Sequence, residues 1–206
     1  MNKDIFRTVL VLSPHTDDGE LGAGGTIARL VEGGSDVSYF AFSAPQKILR
    51  KECEEALQVL GVDKLTIFDF KARYFHHARQ EILEILYDYN QKHEPHLILT
   101  PSTNDLHQDH QTITNEALRA FKSSSIFGYE LPWNLIVSRE SAFVSLEERH
   151  VVAKLNSCWK YQSQIKQKRA YFDKDYLRSL LRSKGLKIQT QYAEAFEAIK
   201  LVLKEF

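Results

Sequence analysis

The chain has 206 residues, 43% hydrophobic and 26% charged, an ordinary balance for one globular domain over residues 1–206. Lys and Arg number 27 and Asp and Glu number 27, so no net charge marks it as a nucleic-acid binder. Residues 1–4 are polar, no apolar run reaches the ~20 residues of a membrane helix, and two cysteines make no disulfide framework, which points to a cytoplasmic protein without a membrane span.

Residues 6–12 form an apolar run that predicts a buried strand. Residues 21–32 have helical spacing and stop at Gly33-Gly34. A strand over 37–42, a helix over 46–60 capped at Gly61 and a strand over 65–70 follow. Residues 79–92 predict an amphipathic helix with Ile82, Ile85, Leu86 and Tyr89 on one face. A strand over 97–100, a helix over 110–122 and a strand over 125–129 complete the regular part. This alternation implies an α/β class: a single-domain, Rossmann-like three-layer fold with a mostly parallel sheet and helices on both faces. Beyond residue 130 the pattern loosens. Residues 134–138 and 142–145 read as two further strands, 147–167 as one helix, and 171–184 as an amphipathic helix stopped by Gly185. Residues 192–203 fit helix and strand equally.

Gly22-Ala23-Gly24-Gly25-Thr26 follows the first strand as a dinucleotide-binding loop would. A G-x-G-x-x-G fingerprint needs glycine at position 27, where Ile27 stands, and no acidic residue ends the second strand. The glycines are instead expected to let the first helix approach the sheet.

Two clusters carry the chemistry. Ser13-Pro14-His15-Thr16-Asp17-Asp18-Gly19-Glu20 lies at the exit of the first strand. Asp105-Leu106-His107-Gln108-Asp109-His110 follows the strand over 97–100. Ligands of open α/β sheets bind beyond the carboxyl ends of the strands. His15 and Asp18 are three residues apart, so one turn of helix directs both at one point. His110 completes a His/Asp/His set, and three protein ligands with one open position is the pattern of a catalytic zinc site. Asp17, between the two ligands of the first cluster, is the candidate general base. His107 is the candidate oxyanion stabiliser, as an imidazolium or as a neutral donor. Asp109 is the candidate to orient an imidazole.

Each residue also has a plainer reading. Asp17 or Asp18 alone reads as a helix N-cap, His107 or His110 as a surface histidine, and Asp105 as a turn former. The density of His and Asp in two windows, each after an apolar strand, favours a shared site. His76-His77 opens a helix without nearby acids and reads as structural. Two histidines and a carboxylate also make the facial triad of Fe(II) enzymes. A non-catalytic sugar- or nucleotide-binding module is a third alternative.

At these residues the chain resembles the PIG-L/LmbE-like family of zinc-dependent N-deacetylases. The family's first motif is P-H-P-D-D-E before a G-x-G-G-T turn, and its second is H-x-D-H. Their counterparts are Pro14-His15-Thr16-Asp17-Asp18-Gly19, Gly22-Ala23-Gly24-Gly25-Thr26 and His107-Gln108-Asp109-His110. Tyr192-Ala193-Glu194-Ala195-Phe196 resembles a recurring C-terminal element. The resemblance implies one Zn2+ per chain on His15, Asp18 and His110, with Asp17 as base, His107 as transition-state histidine and Arg73 as a substrate contact. It implies removal of the acetyl group from an N-acetylglucosamine-type moiety in a small-molecule conjugate, leaving acetate and a free amine. Two positions depart: Thr16 stands for proline and Gly19 for glutamate, with Glu20 a candidate substitute. Loops 71–77 and 131–141, with Tyr74, Phe75, Tyr129 and Trp133, are the candidate specificity elements. The particular conjugate is open, and so is assembly into a homo-oligomer.

Overall fold

The computed structural model describes residues 6–203, so the polar residues 1–4 lie outside the described residues. The first strand, β1 (Thr8–His15), is buried along Val9–Leu12, as a central parallel strand must be. It runs three residues beyond the apolar run, because Ser13 and His15 still pair with Ala41 and Ser43 of β2 (Asp36–Ser43). That extension carries His15 to the sheet's carboxyl rim. Helix α1 (Asp18–Glu32) starts three residues before the predicted boundary, so Asp18 lies in its first turn.

Helix α2 (Lys47–Leu60), strand β3 (Lys64–Ile67), helix α3 (Arg79–His93), strand β4 (Leu97–Pro101), helix α4 (Gln108–Ala120) and strand β5 (Ser125–Tyr129) follow. Among the described residues seven strands form one sheet, in the order β3-β2-β1-β4-β5-β7-β6. Strands β1 to β5 run parallel to one another. The order reverses between β1 and β4, and both His/Asp clusters leave the sheet at that switch point. One apolar layer, with Ile27, Leu57, Val151 and Leu181, packs under α1, α2 and the C-terminal helices. The other, with Leu10, Ile82, Leu86 and Ile113, packs under α3 and α4. Each fully buried Leu or Ile contributes about 1.5–3 kcal/mol through removal from water.

The C-terminal third departs most from expectation. Residues 134–138 are not a strand: Pro132–Asn134 is a single 3-10 turn and the chain to 141 is irregular. Asn134 and Val137 give their carbonyls to Leu106 and Asn104 in the loop after β4, not to the sheet. Strand β6 (Ala142–Leu146) is as predicted. The expected helix over 147–167 breaks into α5 (Glu148–Cys158) and α6 (Gln162–Lys166), because Tyr161 turns inward and the buried Glu52 carboxylate accepts the Ser163 amide and hydroxyl. Helix α7 (Lys174–Lys187) is capped by Asp173 and runs through Gly185 rather than stopping there. A Cβ on Gly185 would stand 2.7 Å from the Thr190 carbonyl oxygen, so glycine lets the next segment turn back against the helix. Residues 192–203 resolve as strand β7 (Tyr192–Lys200), antiparallel to both β5 and β6.

The glycines of α1 do admit close packing. A Cβ on Gly22 would fall within the Tyr129 ring. Two buried side chains also reach the helix backbone. Lys154 Nζ donates to the Leu21 carbonyl at 2.7 Å, and Glu194 accepts the amides of Gly25 and Thr26 at 3.0 and 2.6 Å. Lys154 and Glu194 pair with each other at 2.6 Å.

Candidate metal centre

The exit of β1 and the start of α1 fold the first cluster onto itself. The His15 amide donates to Asp18 Oδ2 at 2.8 Å, and the Gly19 amide donates to Ser13 Oγ at 3.0 Å. Three side-chain atoms then converge. His15 Nδ1 lies 3.1 Å from Asp18 Oδ2, Asp18 Oδ2 lies 3.2 Å from His110 Nε2, and His110 Nε2 lies 3.3 Å from His15 Nδ1. A tetrahedral zinc with ligand bonds of about 2.0–2.1 Å requires donor–donor edges of about 3.3–3.4 Å, so the donor set fits the ion. His15, His107 and His110 also offer ring nitrogens within 4.8 Å of one another. The triangle with Asp18 is the tighter and includes a carboxylate, and His107 lies beside it.

The ring tautomers suit this arrangement. Asp105 Oδ2 accepts from His110 Nδ1 at 2.8 Å, which leaves the Nε2 lone pair facing the centre. Asp109 Oδ2 accepts from His15 Nε2 at 3.2 Å, which leaves Nδ1 facing the centre. Asp109 thus contacts the His15 ring on the side away from the triangle. Asp105 does more than initiate a turn: beside His110 it also accepts the His107 amide at 2.8 Å and an Asn134 amide hydrogen. Sequence reasoning missed this role, although an acid five residues before a candidate ligand was a usable signal. His107 caps α4, whose start lies two residues before the predicted boundary. The Asp109 amide donates to His107 Nδ1 at 3.2 Å, so a neutral His107 carries its hydrogen on Nε2.

The electrostatics favour a cation at the centre. Burial alone would lower the His15 imidazole, but Asp18 and then Asp109 raise it to about 10. Burial likewise opposes a proton on His110, yet Asp18 and Asp105 raise it to about 9. Burial disfavours the charge on Asp18, but His110 and His15 hold its carboxyl well below the usual range. Burial and then the Asp18 charge push Asp17 up to about 6. Burial, followed by the charges on His110 and His15, lowers His107. Asp17 occupies the N-cap position of α1 but makes no capping hydrogen bond, so capping does not explain it.

Glu20 is fully buried. Tyr39 and Tyr161 hydroxyls both reach its carboxyl, and the Tyr161 oxygen also lies 2.5 Å from the Thr16 carbonyl. A carbonyl can only accept, so the Tyr161 hydrogen belongs there, and the 2.6 Å contact to Glu20 needs a hydrogen from the acid. Burial, which pushes Glu20 up to about 8 against both tyrosines, agrees with a neutral carboxyl.

Arg73 enters the site through its main chain. Its amide donates to Asp109 Oδ2 while its side chain is exposed, and its φ of 70° is held by that bond. Of the four candidate aromatics, Phe75 and Tyr129 are core. Trp133 is partly exposed and stacks on Tyr171, with ring centroids 4.2 Å apart. Tyr74 is exposed beside Lys71. His76 and His77 are exposed on a 3-10 turn preceding α3, outside the triangle.

A doubly wound α/β sheet with an acid–imidazole triangle at its switch point defines a protein whose chemistry sits at the strand exits. The chain belongs to the PIG-L family: the family described as "GlcNAc-PI de-N-acetylase" matches residues 10–121, more than half of its length. It is 26% identical over 169 residues to the uncharacterized deacetylase YaiS of Escherichia coli strain K12, covering 76% of this chain and 91% of that one. It is 30% identical over 125 residues to the diacetylchitobiose deacetylase of Thermococcus kodakarensis, covering 51% of this chain and 45% of that enzyme. The chain thus spans less than half of that relative. The solved structure of GalB, the 4-carboxy-2-hydroxymuconate hydratase of Pseudomonas putida KT2440, has a TM-score of 0.78 at 19% identity, covering 97% of this chain and 99% of that one. That likeness shows the fold alone. No helix among the described residues is long and apolar enough to cross a membrane.

Proposed function

We propose that this chain is a zinc-dependent hydrolase that removes the N-acetyl group from an N-acetylglucosamine-type sugar conjugate, releasing acetate and a free amine. The observation that carries this reading is the triangle of His15 Nδ1, Asp18 Oδ2 and His110 Nε2, with edges of 3.1–3.3 Å. These atoms would hold one zinc ion per chain, which when bound polarises the amide carbonyl and lowers the pKa of water toward ~7. Asp17 takes a proton from the attacking water and returns it to the departing nitrogen as the C–N bond breaks. His107 offers its neutral Nε2–H to the oxyanion that forms as water adds to the carbonyl. Asp109 and Asp105 hold the two imidazoles in register, and Arg73 contacts the substrate. The location in this reading is the cytoplasm, in keeping with two free, buried cysteines.

The family match and the deacetylases among the relatives favour amide hydrolysis. The deciding experiment is an acetate-release screen over N-acetylglucosaminyl conjugates with metal-free protein, zinc-loaded protein and protein loaded anaerobically with Fe(II). Metal-dependent acetate release without oxygen uptake is expected. No acetate from any conjugate with zinc would sink this reading, and oxygen consumption with Fe(II) would replace it with an oxygenase.

A further inference from the structure

We infer that Tyr161 is a positioning residue for the base: its hydroxyl clamps the Thr16 carbonyl and so orients the peptide that carries Asp17. The inference rests on the proposed role of Asp17.

Only Thr16 and Asp17 separate the end of β1 from the start of α1, so few contacts can set this turn. Three side chains from three distant elements converge on its one inward carbonyl. The Tyr161 hydroxyl reaches the Thr16 oxygen at 2.5 Å, the Tyr39 hydroxyl at 3.3 Å and Cys53 Sγ at 3.6 Å. That oxygen belongs to the peptide plane shared with the Asp17 nitrogen, so turning it would turn Asp17. The same two hydroxyls reach the Glu20 carboxyl in the first turn of α1. They therefore grip the chain on both sides of Asp17. Thr16, Glu20, Tyr39 and Tyr161 are all buried, so water does not compete for these bonds.

Gly19, the departure from the family motif, is part of the device. A Cβ there would lie 2.5 Å from the Tyr39 hydroxyl and 2.8 Å from its ring, so a side chain at 19 and Tyr39 in this pose exclude each other. The absent side chain admits Tyr39, and Glu20 supplies the carboxyl one residue later. Tyr161 is itself fixed from behind. Its amide donates to the Cys158 carbonyl at 3.2 Å, and Glu52 holds the Ser163 amide and hydroxyl at 2.7 and 2.6 Å. No hydroxyl of the clamp belongs to the metal triangle, so its loss should alter proton transfer and leave the ion in place.

The test is steady-state kinetics on the zinc-loaded full chain, with the conjugate giving most acetate in the screen above, plus a crystal structure of Tyr161→Phe. Tyr161→Phe should lower kcat about 10–100-fold, the scale of a misplaced catalytic group, with KM and zinc content unchanged. Tyr39→Phe should lower kcat less, because its contact with the carbonyl is longer. In an Asp17→Asn background Tyr161→Phe should have no further effect, since both act on one step. Undiminished kcat in Tyr161→Phe, or an equal loss in the Asp17→Asn background, would overturn the inference. If Tyr161→Phe does not fold, Tyr39→Phe decides: reduced kcat at constant KM supports the clamp and unchanged kcat refutes it. An unmoved 16–17 peptide in the variant crystal structure also refutes it. Absence of acetate release by the wild type would instead overturn the reading beneath, while the variant structure still decides the clamp.

Discussion

The parallel half of the sheet and the C-terminal third divide the work unequally. Strands β1 and β4 deliver each group of the proposed chemistry: His15, Asp17, Asp18, His107 and His110. The residues after 130 supply none of these, yet they contact the segments that carry them. Tyr161 reaches the Thr16 carbonyl, Asn134 reaches Asp105, and Lys154 with Glu194 reach the α1 backbone. Glu197 of β7 accepts from Ser102 and Thr103 at the head of the loop that carries Asp105 to His110. The two clusters come from strands that end side by side, so they meet without help. The far end of the chain braces the turns behind them.

On this division, damage in the first half should remove turnover and spare the fold, and damage in the last third, the Tyr161 hydroxyl aside, should cost stability first. The largest effect is expected at Asp17. Asp17→Asn should lower kcat by about 10²–10⁴-fold with zinc still bound, measured by acetate release and metal analysis. Next comes Glu194→Ala, which leaves Lys154 buried without its partner. Breaking a buried pair costs about 3–5 kcal/mol, so denaturant unfolding should show a large loss of stability before any specific loss of zinc. Asp105→Asn should weaken zinc binding about 10–100-fold, read by competition with a chelator, with little change in unfolding midpoint.

The smallest effect concerns pH. Burial opposes the charge on Glu197, but the Thr103 and Ser102 donors hold its carboxyl below the ordinary glutamate value of 4.5. A depressed folded pKa adds stability that is present above the unfolded value and lost as pH falls through the folded one. Stability should therefore decline below about pH 4.5, and Glu197→Gln should flatten that part of the acid-unfolding curve. An unchanged curve in the variant would show that β7 does not steady the second cluster in this way.

The elements legible from sequence were those whose signal is local. Apolar runs mark β1, β2 and β4, and helical spacing marks α2 and α3. The two His/Asp windows announce a shared site because strand exits of a parallel sheet lie on one rim. Residues 134–138 read as a strand because the Leu135-Ile136-Val137 run has strand character, while the Asn134 and Val137 carbonyls are claimed by a loop some thirty residues earlier. Residues 192–200 were undecidable because short apolar segments suit either period, and only pairing on both sides made them β7. Tyr161 and the Lys154–Glu194 pair carry no local mark of their roles. A buried polar group must find a partner, and which partner is nearest depends on how the layers pack. The chemistry of this protein was thus written in two short windows, and the geometry that aims it was set by contacts across more than a hundred residues.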